Sequence, residues 1–288
     1  MSLLERREAH LRAKDAALAK LQDVGAENKV RKYPRSATDA YKLEIETQGQ
    51  WGSPSDKYHI AVRGRPHQLG AFLARHEDDP AAKDFYKKLE QYIEFRIGLP
   101  PRESSSPSSL HIPRIVIPTV KIHEHAALRV NFTTYDIHRS HDTISPNTSH
   151  RFVMLRNTDS NVRHPFWYAK VLGIYHVDAR EAGDGYRKPT QRFDVLWVRW
   201  LGGMKWGSWS QRRLDMVSYI DNGSSEGSFG FIDPATVIRG AYLIPVFEFG
   251  YTKDLVRPSI AWDCSEEGDW KAYHVQRQVF AQALVLST

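Results

Sequence analysis

The hydrophobic period of this chain changes once, and the change falls at a run that neither a helix nor a strand accommodates. Leu99-Pro100-Pro101 and then Ser104-Ser105-Ser106-Pro107-Ser108-Ser109 form a Pro/Ser-rich stretch of low complexity. Before it, apolar residues recur at helical spacing. After it they alternate, and β-branched and aromatic residues accumulate. A chain built this way is expected to place helices before residue 99 and a β-rich body after residue 109, with residues 99–109 as the linker.

On the helical side, Leu4, Leu11 and Leu18 stand seven apart within an Ala-, Leu-, Glu-, Lys- and Arg-rich segment, which predicts a helix within residues 1–27 that Gly25 ends. Residues 28–79 are polar and broken by Pro34, Gly49, Gly52, Pro54, Gly64 and Pro66, so they read as a poorly ordered connector. In residues 80–98, Phe85, Leu89, Tyr92 and Ile93 share one face while Lys87, Lys88, Glu90 and Glu94 occupy the other. This is an amphipathic helix, with Pro80 suited to its first turn.

From residue 110 to 260 the expected strands include Trp167 to Val177, Phe193 to Leu201, Leu214 to Ile220 and Tyr242 to Phe249, with Gly202-Gly203 and Asp221-Asn222-Gly223 as turn chemistry between them. Several short strands and few helix signals indicate a small twisted barrel or sandwich. Residues 261–288 read as a C-terminal extension. The fold class is therefore α+β: N-terminal helices and a disordered connector followed by a β-rich barrel.

At 288 residues the chain is long enough to bury a core without a disulfide or a metal. Its single thiol, Cys264, forms no internal disulfide, excludes a Cys-rich zinc module, and suits a reducing intracellular compartment. Met1 to His10 contains no apolar run, so neither a secretory signal nor a membrane span is expected. The 40 Lys and Arg against 34 Asp and Glu leave a net charge of +6, spread along the chain instead of gathered into a basic arm.

The chemistry-bearing residues cluster after residue 190. Arg199, Lys205, Arg212 and Arg213 interleave with Trp197, Trp200, Trp206 and Trp209. Cations beside aromatic rings can hold phosphate while a ring stacks on a base, and the competing possibility is a solvated rim balanced by Asp194 and Asp215. The tryptophans can form an aromatic cage for a methylated lysine or supply packing area. On one regular strand Trp197 and Trp200 point to opposite faces, so they cannot both line one pocket. His123 and His125 sit two apart, and His138 and His141 three apart. Neither pair has a third ligand at fixed spacing, so no metal and no cofactor is expected. Asp136 with Asp142, or Asp178 with Asp184, are the paired carboxylates a nuclease would need; loop acids more often form turns.

Three ordered segments carry a resemblance. His164-Pro-Phe-Trp-Tyr-Ala-Lys-Val-Leu-Gly-Ile-Tyr-His176, Phe193-Asp-Val-Leu-Trp-Val-Arg-Trp200 and Phe229-Gly-Phe-Ile-Asp-Pro-Ala-Thr-Val-Ile-Arg-Gly-Ala-Tyr-Leu-Ile-Pro-Val-Phe247 resemble the C-terminal region of Plavaka-type transposon proteins of mushroom-forming fungi. Val130 to Asp136, His141 to Asn147, Pro258 to Ala261 and Asp269-Trp270 fit the same pattern. In that family the DDE-type catalytic core lies upstream of this region, and the 110 residues before it here leave no room for one. After Tyr273 the chain also departs from the Gly-rich tail of the family. A fold-level similarity to bromo-adjacent homology domains and other SH3-like chromatin barrels follows the order Trp167 to Tyr175, Val195 to Trp200, Asp233 to Phe247. The resemblance implies a non-enzymatic accessory module, transposon-derived and nuclear, that contacts DNA or chromatin. The alternatives are a protein-interaction module using the 80–97 helix, and a decayed fragment with no retained activity.

Overall fold

The computed structural model describes residues 57–100, 114–133, 139–157, 165–183, 188–203, 215–221, 227–264 and 266–276. The helix within residues 1–27, most of the connector and the bulk of the Pro/Ser linker lie outside them. The described chain is β-rich with few helices, and its main sheet curls into a half-barrel.

Two strands form the spine. β8 (Phe166–Glu181) and β9 (Gln191–Gly203) pair antiparallel over most of their length. Both are rich in Val, Ile and aromatic residues, whose branched or broad side chains fit a pleated surface. The other strands are β1 (Tyr58–Ile60), β2 (Arg65–Gln68), β3 (Ile115–Val116), β4 (Lys121–His125), β5 (Leu128–Thr133), β6 (Arg139–Ile144), β7 (Phe152–Arg156), β10 (Met216–Tyr219), β11 (Phe229–Ile232), β12 (Val237–Gly240), β13 (Leu243–Pro245), β14 (Tyr251–Thr252), β15 (Asp269–Trp270) and β16 (Tyr273–Val275). The main sheet runs β12-β7-β8-β9-β10-β16-β13. β3 and β4 also pair with β8, β11 with β9, and β2 with β4. β1, β5 and β6 make a separate three-stranded sheet, and β14 pairs with β15.

The two helices are α1 (Leu69–Arg75) and α2 (Phe85–Ile97). α2 begins at Phe85 instead of near Pro80, because Asp84 takes a left-handed conformation at φ 59 and breaks the helical path there. Gly98, at φ 83, closes its other end, as an αL cap without a Cβ does at low cost.

β9 is buried on both faces, which is why Val195 to Val198 reads as a continuous apolar run. Val195 and Trp197 face one way and pack with Tyr175 and Val177 of β8 against Phe72 of α1 and Phe85, Leu89 and Ile93 of α2. Full burial of side chains of this size stabilises by about 1.5–3 kcal/mol each. Leu196 and Val198 face the other way, toward Val171 and Ile174 of β8, Leu128 and Val130 of β5, and Ile144 of β6. A third cluster, with Met154, Leu201, Val217, Tyr219, Tyr273 and Val275, fills the end near β10 and β16.

Two expected boundaries are corrected. Residues 57–79 do not behave as a connector: they carry β1, β2 and α1, and they bury Leu69 and Phe72. Pro66 is compatible with a strand because β2 is bonded to β4 alone and needs no ladder N–H on its other edge. Nor does the body stop at 260. Ala261, Asp269, Ala272, Tyr273 and Val275 are buried, and β16 lies between β10 and β13.

Candidate functional site

Arg199 points inward. Its guanidinium donates from Nη1 and Nη2 to the two carboxylate oxygens of Asp269, both at 2.8 Å, with both side chains buried. Tyr219 stacks beneath it, 4.0 Å from guanidinium carbon to ring centroid. A cation committed this way has no surface to offer a phosphate, so Arg199 is corrected to a core residue. Trp197 also belongs to the core, edge-on to Phe85 at 5.2 Å between centroids. Trp200 is half-buried on the opposite face, edge-on to Trp167 at 6.5 Å. Lys205, Trp206, Trp209, Arg212 and Arg213 lie outside the described residues, as do His138, Asp136 and Asp184. Asp142 is held by Arg239 and by the backbone N–H of Gly240.

The pair belongs to a larger buried network. Lys170 donates to Asp263 at 2.8 Å and to the carbonyl oxygens of Ala261 and Trp262. Arg151 reaches the same carboxylate at 3.2 Å, and Tyr219 and Tyr273 donate their hydroxyls to it. Burial pushes the Lys170 ammonium down to about 8, against the attraction of Asp263. Burial alone would raise Asp263, but Lys170, Tyr273 and Arg151 outweigh it and hold the carboxyl below its usual range. For Asp269, burial outweighs Arg199 and the carboxyl is raised.

Beside this network lies an open cleft of about 670 Å³. α1 contributes Phe72, Arg75 and His76, β2 contributes Arg65 and His67, and β4 contributes Glu124. Arg151 and Asn147 come from the turn before β7, and Lys170, Leu172 and Tyr175 from β8. The floor is aromatic and the walls are basic: Arg65 and Arg75 stand at the exposed rim, Arg151 and Lys170 are held from behind by Asp263, and the lining carboxylate Glu124 takes a 2.8 Å hydrogen bond from His67. Arg75 is exposed and makes no ion pair among the described residues. Tyr175 and Trp197 are almost fully buried, and neither the Tyr175 hydroxyl nor the Trp197 indole N–H has a hydrogen-bond partner among the described residues.

Much of this cleft comes from residues 65–76, a stretch whose sequence suggests only a connector. The available signal was charge: Arg63, Arg65, His67, Arg75 and His76 fall within 14 positions. Only the fold shows that Arg65, His67, Arg75 and His76 meet Arg151 and Lys170 from another part of the chain.

Comparison with protein-family models, with curated proteins and with solved structures finds no match. Among the described residues, no helix is long and apolar enough to cross a membrane.

Proposed function

We propose that the chain is a non-catalytic, transposon-derived accessory module that contacts DNA or chromatin in the nucleus, with the basic cleft as its phosphate-binding face. The observation that supports this function is the basic rim of that cleft, where Arg65 and Arg75 are exposed, while Arg151 and Lys170 deeper in the wall are already held by Asp263. Arg75 and Arg65 stand at its exposed rim, where a backbone phosphate can reach them without unfolding anything. Lys205, Arg212 and Arg213, outside the described residues, remain candidate phosphate contacts. The order β8, β9, the Asp233-Pro234 turn and β12 in a curled sheet supports reading the fold as an SH3-like barrel of the bromo-adjacent homology kind, and that reading, with the resemblance to Plavaka-type proteins, favours a chromatin setting.

The test is fluorescence anisotropy of a labelled generic DNA duplex titrated with the full chain at low and at physiological salt. Binding that weakens steeply with salt supports phosphate contact, because each neutralised phosphate releases counterions. No binding at low salt removes this function. One observation favours a protein-interaction module instead: Phe95 of α2 is 78% exposed. In that case duplex binding is absent, and Phe95→Ser abolishes retention of a partner protein.

A further inference from the structure

Across the sheet from the cleft, on the face of β4 and β8 that Glu124 and Tyr175 do not occupy, four titratable side chains converge. His123 and His125 lie two apart on β4, and His176 and Asp178 two apart on β8, so each pair shares a face. The register sets His123 directly opposite His176. The pattern along the chain gave two isolated histidine pairs with no further ligand. Strand pairing supplies the missing ligands from 50 residues away.

Three features single this group out. Donor atoms of His123, His176 and Asp178 all lie within 4.8 Å of one another. The His123 ring and the Asp178 carboxylate make no hydrogen bond among the described residues, so their lone pairs are uncommitted. His176 is buried, and its Nδ1 is engaged by Nε2 of His125 at 2.6 Å, which fixes the ring and leaves Nε2 as its second donor atom. An imidazole whose far nitrogen is held by a neighbour is the usual outer-sphere support of a metal-binding histidine. Arg192, on β9 opposite Asp178 of β8, has its guanidinium bonded to Asp194 and to the carbonyl oxygens of Ala61 and Val62.

We propose that His123, His176 and Asp178 form a binding site for a first-row divalent cation, Zn2+ being the best fit, with His125 as the residue that positions His176. Two imidazoles and one carboxylate suit Zn2+, which takes nitrogen and oxygen ligands at roughly 2.0–2.2 Å and tolerates a water in the fourth position. The His123 and His176 rings stack in parallel, 4.4 Å between centroids, so on metal binding His123 turns out of the stack to aim its lone pair at the ion. The site is independent of the DNA-binding proposal, being on the other face of the sheet.

The experiment uses the full, tag-free chain after treatment with chelator, titrated with Co2+ and followed by its visible d–d absorption, then by displacement with Zn2+. The expected result is one equivalent of Co2+ in a low-coordinate environment, displaced stoichiometrically by Zn2+. Asp178→Asn and His123→Gln each weaken binding by more than about tenfold, and His125→Ala weakens it by about tenfold while keeping the stoichiometry. His150→Ala, in the exposed turn before β7, leaves binding unchanged. Asp178 and His123 are only half-buried, so circular dichroism of those two variants is expected to match the wild type. Sub-stoichiometric uptake by the wild type, or uptake that neither Asp178→Asn nor His123→Gln reduces in a folded chain, overturns the proposal.

Discussion

Arg199 and Asp269 meet as a two-pronged ion pair sealed from solvent, joining the middle of β9 to β15 across 70 residues of sequence. Removing one partner leaves the other charge buried and uncompensated, which costs far more than the pair contributes by itself. Arg199→Ala is therefore expected to lower the free energy of unfolding by about 3–5 kcal/mol in urea melts. Asp269→Asn, which keeps hydrogen-bonding capacity, is expected to cost less. A full-strength fold in Arg199→Ala would contradict the burial of this pair.

The rim of the cleft behaves in the opposite way. Arg65 and Arg75 are exposed, so replacing both with Ala is expected to leave the melting curve within about 0.5 kcal/mol of wild type, as surface changes usually do. Duplex affinity at low salt should fall severalfold. The slope of log affinity against log salt should shrink by roughly one for each phosphate that the variant no longer neutralises. A double variant with unchanged affinity and unchanged salt slope would move the DNA-binding face away from this cleft.

The difference between these two groups of arginines marks where sequence reasoning stops. β8 and β9 were legible because they are long and carry seven and five β-branched or aromatic residues respectively, and α2 because Phe85, Leu89, Tyr92 and Ile93 span two turns of helix. β1, β2 and α1 contain three, four and seven residues, too few periods for a pattern to rise above the Gly and Pro punctuation around them. The opposite facing of Trp197 and Trp200 follows from strand alternation alone. That Arg199 is buried does not. A basic residue within Val195 to Trp200 looks like a solvent-facing position until Asp269, a distant residue, is known to lie beneath it. The histidines teach the same lesson: a ligand set split between β4 and β8 becomes visible only through register.

Gly173 is a position where the side chain must be absent. It follows a register shift in β8 after Val171, and the Tyr175 ring lies where its Cβ would be. Gly173→Ala must displace that ring, which is packed edge-on against Phe72 and Phe85. Overpacking of this kind is expected to cost about 1–3 kcal/mol. Equilibrium unfolding monitored by tryptophan fluorescence checks it, since Trp197 adjoins the same cluster. The companion change Tyr175→Leu should recover part of the loss in Gly173→Ala, and full additivity of the two would show that the ring is not the obstacle.

Lys170 gives the fold a pH dependence in the alkaline range. Burial lowers its ammonium to about 8 in the folded chain, with Asp263 opposing the shift and Arg151 and Arg199 adding to it. In the unfolded chain it titrates near the ordinary lysine value of about 10.4. Between those values the unfolded state binds a proton that the native state has released, so stability rises with pH across the window. Below pH 8 both states are charged and the full desolvation penalty is present. The expected gain from pH 8 to pH 9 is roughly 1 kcal/mol. Tyrosines set the upper limit: burial raises Tyr58, Tyr92, Tyr175, Tyr219 and Tyr273, so as pH approaches 10 ionisation of these groups in the unfolded chain favours it and reverses the trend. Lys170→Met removes the titrating group while Arg151, Tyr219 and Tyr273 still hold Asp263. Chemical denaturation of wild type and Lys170→Met at pH 7, 8, 8.5 and 9 is the measurement. The wild type should gain stability over the upper part of that range and the variant should stay flat, whereas parallel curves would place the alkaline titration on some other residue.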